Sequence, residues 1–156
     1  MLAWLESTSI AVWLAESPSV WAMPTVLTLH TTGMAVLVGA SWLLDLRLLG
    51  LNRAVPLSSY RWVFRAIAIG LAVNLVTGVL LFMKNATAWG TAFPFLVKML
   101  LVVAGAATIL PLRRYVLESG PEQIDISDRA RSLAIASLVA WSAAVTAGRL
   151  LAYLVV

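Results

Sequence analysis

From Ser17 to Leu44 the chain carries no charged side chain. A helix built on that stretch measures about 40 Å at 1.5 Å per residue, more than the ~30 Å of a bilayer's hydrocarbon core. A soluble domain could hide such a helix only behind a large polar surface, and this chain has too little of one. Of its 156 residues 62% are hydrophobic and 12% charged, against roughly 45–50% and 25% in soluble domains. The sequence therefore specifies an all-α integral membrane protein.

The remaining apolar runs complete a four-helix bundle in a single transmembrane domain, 1–156. The first span is expected at about 24–49, with Pro24 in its first turn and Gly50 as the residue after its cap. The second is expected at 62–84, where Ala66 to Met83 is uncharged. The third, opened by Pro94, is expected at 94–113, and the fourth at 128–156 with Ser127 as N-cap. Residues 1–16 lack the basic start and unbroken apolar core of a signal peptide. With Leu2, Leu5, Val12 and Trp13 toward one side, they read as a short interfacial helix. Arg113 to Arg131 is the one clearly hydrophilic stretch.

The loops after the first and third spans hold Arg47, Arg53, Arg61, Arg65, Arg113, Arg114, Arg129 and Arg131; the other side has Lys84, Lys98 and Arg149. This positive-inside bias places both termini in the periplasm of a bacterial cytoplasmic membrane. Cations scattered at helix ends form no basic face, so the net charge of +4 points to topology, and no nucleic-acid partner is expected. The absence of cysteine excludes disulfides, thiolate metal sites and covalent haem attachment through C-x-x-C-H. With one histidine as well, the usual zinc sites are excluded within one chain.

That histidine, His30, lies inside the first span, where an imidazole is costly unless it serves a site. Counted from the Arg-rich side, His30 is 15 residues above Asp45 and Lys98 is 15 above Arg113, so both stand about 22 Å up. Arg149, 18 residues above Arg131, stands about 27 Å up. Met23, Leu27, His30, Met34, Leu37 and Ser41 form one stripe at helical spacing. A thioether beside an imidazole is compatible with a haem pocket, and equally with plain core. Gly33 admits either a flat ligand or, more commonly, another helix. Gly70, Asn74, Thr77 and Gly78 make a small, polar stripe of the kind that forms helix seams. For His30 the alternative to a cofactor role is a structural hydrogen bond, and for Lys98 and Arg149 it is snorkelling to the headgroups.

At PTVLTLHTTGMAVLVG, DLRLLG, TGVLLF and the Phe-Leu-x-Lys that opens the third span, the chain resembles a bacterial family of small four-helix inner-membrane proteins. The match runs through Arg114, and that family brings no assigned activity. More distantly the chain is similar to membrane haem proteins of the HemJ type, four-helix protoporphyrinogen oxidases that bind haem b, and to copper-resistance membrane proteins of the CopD type. Position by position, the resemblance implies roles for His30 and Lys98 only. A haem held by two histidines of one subunit is excluded here.

The leading expectation is a haem b protein for electron transfer or redox chemistry. His30 is its metal ligand, with Gly33, Met34, Lys98 and Arg149 about the cofactor. The opposite ligand is absent, a methionine such as Met83 or Met99, or His30 of a second copy in a homo-oligomer; quinone is a candidate redox partner. The alternatives are a cofactor-free accessory subunit of a larger membrane complex and, third, a copper-handling or transport protein using His30 and the methionines.

Overall fold

The computed structural model describes residues 2–19, 21–120 and 125–154, with Ala152 by its backbone alone. Pro121 and the expected helical residues Val155 and Val156 lie outside the described residues.

Four long helices dominate: α3 (Met23–Leu48), α4 (Val63–Lys84), α6 (Phe93–Glu118) and α7 (Asp128–Leu154). The helical segments holding them are long and apolar enough to cross a membrane. Between and before them lie α1 (Leu2–Glu6), α2 (Ser9–Glu16), a 3-10 turn at Leu57–Tyr60 and α5 (Ala86–Gly90). Ile69, Leu75, Leu100, Val103, Leu110 and Val139 are all more than half exposed. An apolar surface of that extent suits lipid, not water, and the chain is a multi-pass membrane bundle.

Sequence chemistry explains the helix ends. Gly50 takes φ +110°, open to a residue without Cβ. Its N–H meets the Arg47 carbonyl at 3.1 Å, and the Leu51 N–H meets the Leu46 carbonyl at 2.9 Å. These are the paired bonds of a Schellman cap. Beyond it Arg47, 3% exposed, donates to the carbonyls of Val55 (Nη2, 2.8 Å) and Arg53 (3.3 Å), closing the loop over the bundle end. At α7, Ser127 Oγ accepts the Ala130 N–H at 3.2 Å, the expected N-cap. α6 runs five residues past the expected 113, to Glu118, because Tyr115 and Val116 pack into the core and hold the extra turn in place.

The N-terminal segment is two helices where one was expected. Ser7 Oγ and Thr8 Oγ1 donate to the carbonyls of Trp4 and Leu5, and Thr8 is extended, with ψ 145°. Such local bonding ends a helix. α1 packs against α4 and α5, and α2 against α4, with Ala11 and Leu14 buried. The Glu6 carboxylate accepts the Thr87 N–H (2.8 Å) and hydroxyl (2.6 Å), capping α5 from another helix, where Asn85 makes no side-chain cap of its own.

α3 packs along α4 and α7, and α6 along α7. The α3–α4 contact is a backbone approach: a Cβ on Gly70 would lie 2.6 Å from the Leu37 nitrogen and 2.8 Å from the Gly33 carbonyl oxygen. On the α6–α7 side, Trp141 lies on Gly105, whose added Cβ would come within 2.7 Å of the indole. In lipid, helices associate through such packing and through hydrogen bonds, not through hydrophobic exclusion.

Two outcomes are expected. Gly70→Ala forces α3 and α4 apart and destabilises the bundle by about 1–3 kcal/mol, read as a lowered thermal midpoint in detergent. The bonds from Thr87 hold the Glu6 pKa below its ordinary 4.5. A depressed carboxyl contributes stability that is present above the unfolded value and is lost as pH falls through the folded one. The Thr87 amide proton resonance should therefore titrate below pH 4.5, and Glu6→Gln should abolish that titration.

Candidate functional site

His30 sits on α3 where it faces the small, polar stripe of α4. Its Nδ1 lies 2.9 Å from Thr77 Oγ1, and its ring edge would stand 3.4 Å from a Cβ on Gly78. Thr77 Oγ1 is also 2.6 Å from the Val73 carbonyl, which can only accept. The threonine proton goes to Val73, so Nδ1–H of His30 donates to Thr77 and Nε2 keeps its lone pair. Asn74 Nδ2 donates to the His30 carbonyl at 2.9 Å. The α4 stripe is thus a helix seam that also orients the imidazole, and the hydrogen-bond partner comes from α4, not from Thr31 beside it. Thr31 bonds back to the Leu27 carbonyl.

Lys98 joins His30 at this level. Its aliphatic stem rests on Gly148 of α7, with Cε 3.4 Å from where a Cβ would stand, and its charge lies within electrostatic range of His30. The other expected residues are placed differently. Arg149 is exposed, and its guanidinium carbon stands 5.9 Å from the centre of the Tyr153 ring. Its neighbour Gly148 is the residue that faces Lys98. Gly33 is buried against Val73 and Asn74, 2.8–2.9 Å from an added Cβ, so α4 takes the space a flat ligand would need. Met34 packs against the apolar core cluster. Met99 is 43% exposed, which turns it outward.

A second polar centre lies nearer the Arg-rich end. Asp45 is 0% exposed, and neither carboxylate oxygen has a hydrogen-bond partner among the described residues. The Ser137 hydroxyl adjoins it without completing a bond. A cavity of about 10 Å³ between the four long helices is lined by polar Ser41, Asp45, Thr108 and Ser137 and by apolar residues of α3, α4 and α6. In the sequence Asp45 marks only a helix end. The signal was present: the His30–Ser41 stripe, continued by one turn, reaches Asp45.

No family model, curated protein or solved structure matches the chain.

Thr77→Val keeps the shape of the seam and leaves Nδ1–H of His30 without its acceptor. We expect a loss of about 0.5–1.5 kcal/mol in thermal unfolding, and no such loss when the same change is made in a His30→Ala background.

Proposed function

We propose that the chain is a haem b-binding protein of the bacterial cytoplasmic membrane, with its termini in the periplasm. In this reading His30 would hold the haem iron through Nε2. The observation that carries it is the anchored imidazole: Nδ1 lies 2.9 Å from Thr77 Oγ1, and with the threonine proton on the Val73 carbonyl this leaves Nε2 with its lone pair. Metal-bound histidines have this arrangement, the second nitrogen fixing tautomer and ring orientation. Haem b, when bound, supplies one-electron redox chemistry, with quinone as a candidate partner. The chain's own part is to hold and orient. Thr77 and Gly78 fix the imidazole, and Lys98, its stem on Gly148, offers a cation to a propionate. Arg149, turned toward Tyr153, belongs in this reading to the headgroup region. His30 of a second copy related by a two-fold axis would supply a further ligand without a second histidine in the chain.

A second reading is favoured by the same seam. His30 bonds α4 through both its ring and its carbonyl, as a residue would whose task is to join helices. In that case the chain is a cofactor-free accessory subunit.

The absorption spectrum of protein purified from haem-replete cells, oxidised and dithionite-reduced, separates the two. A Soret band is expected, lost or shifted in His30→Ala, with haem retention weakened in Lys98→Met. A folded protein without the band sinks the haem reading and leaves the accessory one.

A further inference from the structure

The Asp45 centre is separate from the His30–Lys98 level and makes no use of it. A carboxylate buried in a membrane helix is paired, neutralised or engaged with an ion. The charged neighbour two residues on, Arg47, is turned to the loop carbonyls of Val55 and Arg53. The other lining residues are Ser41 and Leu44 of α3, Phe64 and Ile67 of α4, Thr108, Ile109 and Leu112 of α6, and Ser137 of α7; none is charged.

The hydroxyls are committed in a telling direction. Ser41 Oγ donates to the Leu37 carbonyl at 2.9 Å, and Thr108 Oγ1 to the Gly105 carbonyl at 2.7 Å. Each has spent its proton on its own helix and keeps lone pairs for the cavity. With the two carboxylate oxygens these are acceptors around one formal negative charge, and Ser137 is the lining hydroxyl whose proton is free to turn toward the carboxylate. We propose that this cavity binds a single sodium ion through the Asp45 carboxylate and the hydroxyl oxygens of Ser41, Thr108 and Ser137.

Charge and size favour sodium over other cations. One monovalent ion neutralises one carboxylate, whereas a divalent ion would leave a net charge buried in apolar surroundings. Hard oxygen donors suit such an ion. About 10 Å³ is the room of one water molecule, which suits sodium better than potassium. Leu48, Leu57, Val63 and Val116, all almost wholly buried, belong to the core cluster at the Arg-rich end of the bundle.

The test is equilibrium binding of radioactive sodium to purified protein in detergent, with choline as the background cation and thermal melting in parallel. One ion per chain is expected, displaced poorly by potassium, with a sodium-dependent rise in the melting temperature. Asp45→Asn should stay folded and lose both effects. Thr108→Val and Ser137→Ala should stay folded and bind roughly ten-fold more weakly or worse, and they decide the matter if Asp45→Asn fails to fold. Folded wild-type protein that binds no sodium, or binds it equally well without these side chains, overturns the proposal. A melting temperature that responds to pH and not to sodium does the same, and assigns the carboxylate to a proton instead.

Discussion

The close approach of α3 and α4 at Gly70 is the contact on which the half of this bundle away from the Arg-rich end depends. With the α4 backbone laid against Leu37 and Gly33, the residues one and two turns further along meet across the seam. Asn74 then reaches the His30 carbonyl and Thr77 reaches the ring. In lipid the apolar faces gain little by finding each other, because the solvent is as apolar as they are. A crossing point without side chains and the hydrogen bonds beside it therefore do what a hydrophobic core does in water. The same contact sets the rotation of α3, and with it the direction in which the imidazole points.

The two halves of the bundle are built differently. Toward the Arg-rich end, the 3-10 turn at Leu57–Tyr60, the extra turn of α6 and the start of α7 close around Leu48, Val63 and Val116 in one continuous core. Loop carbonyls are bound by Arg47, and Arg61 Nη2 donates to the Leu117 carbonyl at 3.1 Å. Inside this tight end lies Asp45, the group least compatible with it. At the opposite end α1, α2 and α5 pack on α4, burying Ala11, Leu14, Leu81 and Ala86, and Phe82 stacks on Phe95 at 5.1 Å. One half thus encloses a buried carboxylate, and the other is joined across a polar helix seam.

Much of this was legible before any coordinates. Uncharged runs gave the spans to within a few residues, and Gly50, Pro24 and Ser127 each serve the helix end for which their chemistry suits them. The small, polar stripe of α4 was recognisable as a seam. What the pattern could not give was which polar groups meet. Arg149 and Lys98 lie within about a turn of each other in depth on neighbouring helices, yet Arg149 turns out toward Tyr153 while Gly148 receives the lysine stem. Asp45 was read as a boundary because a charge ordinarily marks a helix end in a membrane chain. Phe64, Ile67, Ile109, Leu112 and Ser137 of the other three long helices close around it.

The sequence by itself determined depth. A rise of 1.5 Å per residue and the position of the last arginine place each group along the membrane normal, whatever its neighbours do. Tertiary structure alone decided azimuth. Adjacent residues differ by about 100° around a helix, and which of those directions faces protein depends on where two helices can come closest. Here that point is Gly70 against Leu37, and it turns His30 to Thr77. Around Trp141 on Gly105, the second close crossing holds Ser137 and Thr108 to the cavity that Asp45 enters.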